Sequence, residues 1–392
     1  MKKTIRDIGF KGKRVLVRVD FNVPLDKGLN ITDDTRITAA LPTIEYIVKN
    51  GGRVILMSHL GRPKGKVKDE FRLTPVAKRL RELLGRSVKK TDDCIGAGAL
   101  ESAKALKDGD VLLLENLRFH PEEEANDPVF AAELASLGEV YVDDAFGACH
   151  REHASIDGVT KSLPSVAGML LEKEMKYLGG VVDDPKKPFA LIFGGAKVSD
   201  KVGIIENLLD KVDIILIGGG MAYTFLKSKG HTIGSSKLEA GLIDKAAEIL
   251  DAAKSKGVKV YLPVDHVITK NLSNPSDNKV AGIDIEDGWM GVDIGPKSIE
   301  IFRGALKGAR TIVWNGPLGV FEVPPFDKGS RAVAESLTAL DAATIIGGGD
   351  TAAAISRFGL SDKMSHISTG GGASLEFLEG KILPGIAALN DK

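Results

Sequence analysis

The residues best suited to chemistry lie where apolar runs stop. In the first half of the chain, RVDFNVP (18–24), SHLGRP (58–63), ENLRF (115–119) and CHREH (149–153) set polar and charged side chains directly after hydrophobic stretches. They offer Asp20, Asn22, His59, Arg62, Asn116, Arg118, His150, Arg151 and His153, with Arg36 in the loop after the first stretch. Arginine's planar fork meets carboxylate or phosphate oxygens two at a time, so several arginines at one edge predict a pocket for a small, multiply anionic molecule. Strand alternation places Leu16, Arg18, Asp20 and Asn22 on one face. Arg18 and Asp20 can simply pair there; alternatively Asp20 and Asn22 accept from substrate hydroxyls or fix the arginines. His150 and His153 have a metal-like spacing but no further ligands at a matching spacing, which favours anion binding over zinc.

The second half punctuates its apolar runs with glycine: Gly194-Gly195, Gly218-Gly219-Gly220, Gly347-Gly348-Gly349 and Gly370-Gly371-Gly372, each beside a helix start. Glycine lets backbone N–H groups approach phosphate oxygens, and a helix N-terminus adds a favourable dipole. Tight turns use the same residue, but four such runs on one sheet favour a nucleotide phosphate chain. GxxxxGK[ST] is absent, as is GxGxxG after a strand, and HRD and DFG are only approximated. Lys197 and Lys201, four apart in GGAKVSDK, are placed to face one ligand. Asp350 in GGGDT suits either a helix cap or the one carboxylate that Mg²⁺ takes when phosphates and water fill its other positions.

Holding these groups requires strands alternating with helices. RVLVRVDFNVP, GGRVILMSHLGRP, GDVLLLENLRFH and GEVYVDDAFGACH read as strands in the first half; FALIFGGAK, DIILIGGGM, VKVYLPVDHV, RTIVWNGPLGVFE and ATIIGGGDT do so in the second. Helical patterns lie between, such as TAALPTIEYIVKNGG with Thr32, Asp33 and Asp34 as cap candidates and Gly51 after it. This alternation predicts an α/β protein of two doubly wound, Rossmann-like parallel-sheet domains facing a central cleft, with ligands beyond the carboxyl ends of the strands. A helix from about Leu170 to Gly179 and an Asp/Pro/Lys-rich connector through Pro188 form the expected hinge. The expected division is 1–169, the joining segment 170–184, and 185–380.

Length and composition agree. The chain has 392 residues, 43% hydrophobic and 27% charged, enough for two domains. Lys plus Arg and Asp plus Glu both number 53, so no global field recruits nucleic acid or an anionic membrane. MKKTIRDIGF has no apolar signal core and no long apolar run follows, so neither secretion nor membrane spanning is expected. Two cysteines, Cys94 and Cys149, fit a reducing cytoplasmic setting.

RVDFNVP (18–24), SHLGRP (58–63), ENLRF (115–119), DDAFGACHREH (143–153), GGAKVSDK (194–201), IGGGMAYTF (217–225), VWNGPLGVFE (313–322), IIGGGDTAAA (345–354) and STGGGASLEFLEG (368–380) together resemble the phosphoglycerate kinase family, end to end and in its order. The resemblance implies a first domain binding 3-phosphoglycerate through Asp20, Asn22, Arg36, His59, Arg62, Arg118 and Arg151. It implies a second domain binding Mg-ADP or Mg-ATP near Lys201, Gly220, Gly291, Asn315, Glu322, Gly348, Gly349, Asp350 and Thr351. It also implies that residues 381–392 return to the first domain. The reaction implied is 1,3-bisphosphoglycerate plus ADP giving 3-phosphoglycerate plus ATP, reversibly.

Phosphoryl transfer between two bound anions needs positioning and charge neutralisation more than a general base. Lys197 and Arg36 are therefore assigned to the transferring oxygens, with the N–H groups of Gly371 and Gly372 as further donors and Mg²⁺ held through the nucleotide and Asp350. Transfer between ligands on separate domains implies closure about the joining helix. The partners expected are small molecules acting on a monomer. Two rivals are a nicotinamide dehydrogenase, which lacks its glycine fingerprint here, and a non-catalytic anion-binding protein, which would not need Lys197 or Asp350.

Overall fold

The computed structural model describes all residues, 1–392. The chain forms two compact units, Met1–Lys176 with Ile382–Lys392, and Tyr177–Lys381. Each contains a six-stranded parallel sheet, giving a mixed α/β architecture.

In the first unit the strands are β1 (Arg14–Val19), β2 (Arg53–Met57), β3 (Val88–Lys90), β4 (Val111–Leu113), β5 (Val140–Asp144) and β6 (Ser165–Ala167), in the order β3-β4-β2-β1-β5-β6. Three of these, β3, β4 and β6, have only three residues, and β3 and β6 gave no sequence signal. The apolar runs form strands because both faces are covered: Val15, Val17 and Val19 join Ile37, Ala40, Ile44 and Ile47 of the following helix in one core. That helix, Thr35–Lys49, repeats its buried residues at helical spacing. Of the three cap candidates Asp33 is the one whose side chain accepts from a helix N–H, that of Thr35 at 2.9 Å. Gly51 follows with φ of 74°, a left-handed turn that favours glycine.

The order reverses at β1. Consecutive strands leave it toward β2 on one side, and β5 flanks it on the other. Such a switch point leaves a crevice beyond the two strand ends.

In the second unit β7 (Phe189–Phe193), β8 (Ile214–Ile217) and β9 (Lys259–Tyr261) precede a separate antiparallel sheet of β10 (His266–Thr269), β11 (Asn278–Ala281) and β12 (Met290–Ile294). The chain then returns through β13 (Thr311–Asn315), β14 (Ala343–Gly347) and β15 (His366–Ile367), completing the order β15-β14-β13-β7-β8-β9. The switch point lies between β7 and β13. VKVYLPVDHV is thus two strands in two sheets, not one. Pro263 has no N–H to continue a ladder, and Asp265 is engaged by the N–H groups of Lys297 and Ser298 at the next helix.

The helix expected over Leu170–Gly179 runs from Met169 to Asp183, carrying through its two glycines into the expected connector. The passage from one unit to the other falls inside it. At the other end of the chain, Asn390 exchanges hydrogen bonds with Ser165, and the Gly385 N–H donates to the Cys149 carbonyl. No helix is long and apolar enough to cross a membrane.

Candidate functional sites

At the end of β1, Arg18 and Asp20 do not pair. Arg18 is buried and donates through Nε to Ser155 Oγ at 2.9 Å, through Nη1 to the Val19 carbonyl, and through Nη2 to His59 Nδ1 at 3.0 Å. Asp20 instead takes Arg36 Nη1 at 2.7 Å. The strand ends at Val19, so Asp20 and Asn22 lie beyond it, and partners from other segments outcompete the neighbour two residues away. Asn22 is likewise engaged, its Oδ1 accepting from the Gly61 N–H at 2.9 Å.

Guanidinium only donates, so His59 Nδ1 must accept, and the neutral ring carries its proton on Nε2. Burial, reinforced by Arg18, Arg118, Arg36 and Arg151, holds His59 well below its ordinary value, so it is uncharged at neutral pH. That the field of four arginines converges on one side chain is the clearest sign of a gathered anion site. Arg118 is buried, donates to the Gly61 carbonyl at 3.0 Å and lies 3.1 Å from Glu124. Arg151 is half-buried and donates to His150 Nε2 at 3.1 Å. Arg62 is exposed and is not among the groups acting on His59.

Asn116 is a framework residue, not part of a binding edge. Its amide donates to the Leu60 and Phe71 carbonyls and its oxygen accepts from the N–H groups of Leu60 and Arg118. His153 is buried and pushed down to about 3 by burial and by Arg118, Arg18 and Arg151. Its 3.8 Å approach to Glu123 is therefore not an ion pair at neutral pH.

Sequence reasoning missed Glu123 and Ser155. Fully buried Glu123 accepts from both the N–H and hydroxyl of Ser155, which in turn receives Arg18. Nothing in PEEEA distinguishes this glutamate from its exposed neighbours.

In the second unit the glycine runs divide by the space around them. A Cβ on Gly194 would stand 2.1 Å from the Pro317 carbonyl oxygen, one on Gly316 2.2 Å from that of Gly194, and one on Gly219 2.7 Å from the Gly195 nitrogen. These glycines let the ends of β7, β8 and β13 touch. Gly349 and Gly371 differ: nothing lies within 4 Å of a Cβ built there. Both sit at helix starts, Gly349–Arg357 and Gly372–Leu378.

Gly348 is the N-cap of the first of these helices, and Asp350 stands exposed in its first turn. Beneath it, Asn315 Nδ2 is buried without a hydrogen-bond partner, 3.2 Å from where a Cβ on Gly348 would stand. Thr351 is already engaged, its hydroxyl accepting from the Gly316 N–H at 2.7 Å.

Lys197 and Lys201 do not share a helix face, because the helix begins only at Val202. Lys201 is buried and its ammonium lowered by desolvation, against the pull of Asp200 and Asp350. Lys197 is exposed on a loop that Glu239 holds, accepting from the Val198 and Ser199 N–H groups and the Ser199 hydroxyl.

A cavity of about 270 Å³ opens among Gly220, Tyr223, Met290, Gly291, Leu318 and Glu322, with Asp350 also on its wall. Its mostly apolar lining suits a flat ring. The sequence marked Gly220, Gly291, Glu322 and Asp350 but gave no signal for Tyr223, Met290 or Leu318, which are ordinary core residues by type. Gly291 is needed there because a Cβ would stand 1.8 Å from Tyr223 Oη. Lys201, Asn315, Gly348, Gly349, Thr351, Lys197, Gly371 and Gly372 lie outside that lining.

Two parallel-sheet units, one ending in gathered arginines and the other in open glycines above an apolar cavity, are the equipment of a phosphate-handling α/β enzyme. The comparisons make the class specific. The model of the phosphoglycerate kinase family matches residues 5–381. A phosphoglycerate kinase of Moorella thermoacetica is 57% identical over 392 residues, covering 100% of both chains. The structure of the phosphoglycerate kinase from Coxiella burnetii superposes with a TM-score of 0.90 at 41% identity, covering 99% of this chain and 98% of that one. That from Pyrococcus horikoshii gives 0.83 at 32% identity, with the same coverage. The chain belongs to the phosphoglycerate kinase family.

Proposed function

We propose that the protein transfers a phosphoryl group reversibly between 1,3-bisphosphoglycerate and ADP, giving 3-phosphoglycerate and ATP. The observation that carries this reading is the field of Arg18, Arg36, Arg118 and Arg151 around uncharged His59, in a member of a kinase family. An acyl phosphate with a second phosphate is the small, multiply anionic ligand such a field suits.

Asp20, Asn22, Arg36, His59, Arg62, Arg118 and Arg151 bind 3-phosphoglycerate in this account. Asp20 acts mainly by aiming Arg36, and His59 offers Nε2–H as a neutral donor. The nucleotide ring enters the cavity past Gly220, Gly291 and Glu322. Its phosphates meet the Gly348, Gly349 and Thr351 backbone, Lys201 and the unpaired Asn315 amide.

Asp350 fits Mg²⁺, being an exposed carboxylate in the first turn of the helix Gly349–Arg357, and one carboxylate with phosphates and water is an ordinary Mg²⁺ set. When bound, Mg²⁺ supplies charge neutralisation to the nucleotide phosphates. Lys197, Arg36 and the N–H groups of Gly371 and Gly372 hold the transferring oxygens. The attacking carboxylate has no proton to lose, so no general base is required.

The protein is further proposed to act as a monomer in the cytoplasm, where its two free cysteines would stay reduced. A coupled assay with 3-phosphoglycerate and Mg-ATP tests the function: ADP formation dependent on both substrates is expected, and its absence would refute the reading.

A further inference from the structure

The chain carries a second group of ligating side chains, outside both sites above. Asp93 and Cys94 lie in the loop between β3 and the helix Gly96–Lys104, and His120 directly precedes the short helix Pro121–Glu124. Their ligand atoms, a carboxylate oxygen, Cys94 Sγ and an imidazole nitrogen, all fall within 4.8 Å of one another. No sequence spacing announces this, because His120 comes from a separate crossover 26 positions after Cys94.

The loop is set locally. The Thr91 hydroxyl donates to the Asp93 carbonyl at 2.6 Å, and the Cys94 N–H donates to Asp93 Oδ1 at 2.6 Å. His120 packs its ring on Phe130 with centroids 5.3 Å apart, and its Nε2 stands 2.6 Å from the same Asp93 oxygen. Cys94 is buried, whereas Asp93 is exposed and His120 partly so. The cluster thus has a closed sulfur side and an open oxygen and nitrogen side through which an ion can enter.

We propose that Asp93, Cys94 and His120 form a binding site for a borderline-soft divalent cation of the Zn²⁺ type. Bond lengths of about 2.0–2.3 Å around a tetrahedral ion set its ligand atoms roughly 3.3–3.7 Å apart. Binding an ion therefore requires the close His120–Asp93 pair to open and the Cys94 sulfur to turn toward it. One thiolate, one imidazole and one carboxylate select Zn²⁺, Co²⁺ or Ni²⁺ over Mg²⁺, which prefers an all-oxygen set. The bound ion displaces the Cys94 thiol proton to solvent. Two anionic ligands then balance its two positive charges, and water takes the fourth position. The alternative is that His120 and Asp93 only share a hydrogen bond and Cys94 is a bystander.

Cobalt titration of the full-length protein under a non-thiol reductant, with Mg²⁺ in excess, separates the two. The proposal predicts a sulfur-to-cobalt charge-transfer band that saturates at one ion per chain and is not suppressed by Mg²⁺. The band should vanish in Cys94→Ala and persist in Cys149→Ala. His120→Ala and Asp93→Asn, which change only accessible side chains, should each weaken binding by about tenfold or more. A wild-type protein without the band, a band that survives Cys94→Ala, or unchanged affinity in both His120→Ala and Asp93→Asn would overturn the assignment.

Discussion

The two units end the same kind of sheet in opposite ways. At the first unit's switch point the strand ends carry interlocked side chains: Asp20 aims Arg36, Ser155 aims Arg18, and Arg18 fixes the tautomer of His59. At the second unit's switch point side chains are largely removed and glycines bring three strand ends into contact, while at the neighbouring strand ends Gly349 and Gly371 keep open space where a side chain would stand. The proposed targets account for the difference. A small branched anion needs charge delivered from several directions, whereas a phosphate chain can lie along backbone dipoles. The first design is therefore vulnerable to losing a side chain, the second to gaining one.

Gly194→Ala should break the second design most severely. Its new Cβ meets the Pro317 carbonyl oxygen, which cannot yield without moving β13, so a stability loss of roughly 3–5 kcal/mol is expected in chemical denaturation. Wild-type stability would show that the strand ends are free to part.

Lys197 is the exception in the second unit, a side chain on a loop that Glu239 pins. Lys197→Met should lower turnover by about 10²–10³ while both substrates bind within a few-fold, the usual effect of losing one donor to a transition-state oxyanion. Turnover measured beside both dissociation constants checks this, and retained turnover would make Lys197 a surface residue.

Burial of His153 among the first unit's arginines has a cost in acid. His153 is held at about 3, below its ordinary 6.5. In that interval the unfolded chain binds the proton and the folded one does not, so stability is lost as pH falls from 6.5 toward 3. His153→Gln should remove about 1.5 kcal/mol of the loss between pH 6.5 and 5. Denaturation curves of the two proteins at both pH values decide it; parallel losses would place the acid sensitivity elsewhere.

Gly349→Ala is the mild counterpart of Gly194→Ala. With open space around it, stability should stay within about 0.5 kcal/mol. Nucleotide affinity should fall about tenfold, roughly 1.4 kcal/mol, as the methyl group meets the ligand. Unchanged affinity would remove Gly349 from the site.

Much of this contrast was legible in the sequence, because strand ends are where apolar runs meet charge or glycine. RVDFNVP and GGGDT both show it directly. Partnering was not legible. Arg18 chose Ser155 and His59 over Asp20, and Glu123 resembles the exposed acids beside it, because such choices depend on crossovers that bring distant segments together. The two roles of glycine were equally hidden: Gly194 and Gly349 look alike in sequence and differ only in what stands where a Cβ would be. The antiparallel sheet that supplies Met290 and Gly291 escaped notice because one apolar run was split across Pro263.

Calorimetry of Arg118→Ala against wild type tests the division of labour most directly. Arg118 reaches only groups of its own unit, Gly61 and Glu124, so its loss should act on one ligand alone. The account predicts that 3-phosphoglycerate binding weakens by roughly 1.5–3 kcal/mol while ADP affinity stays within a factor of about two, near the resolution of such measurements. Equal losses for both ligands, or a loss confined to ADP, would contradict it.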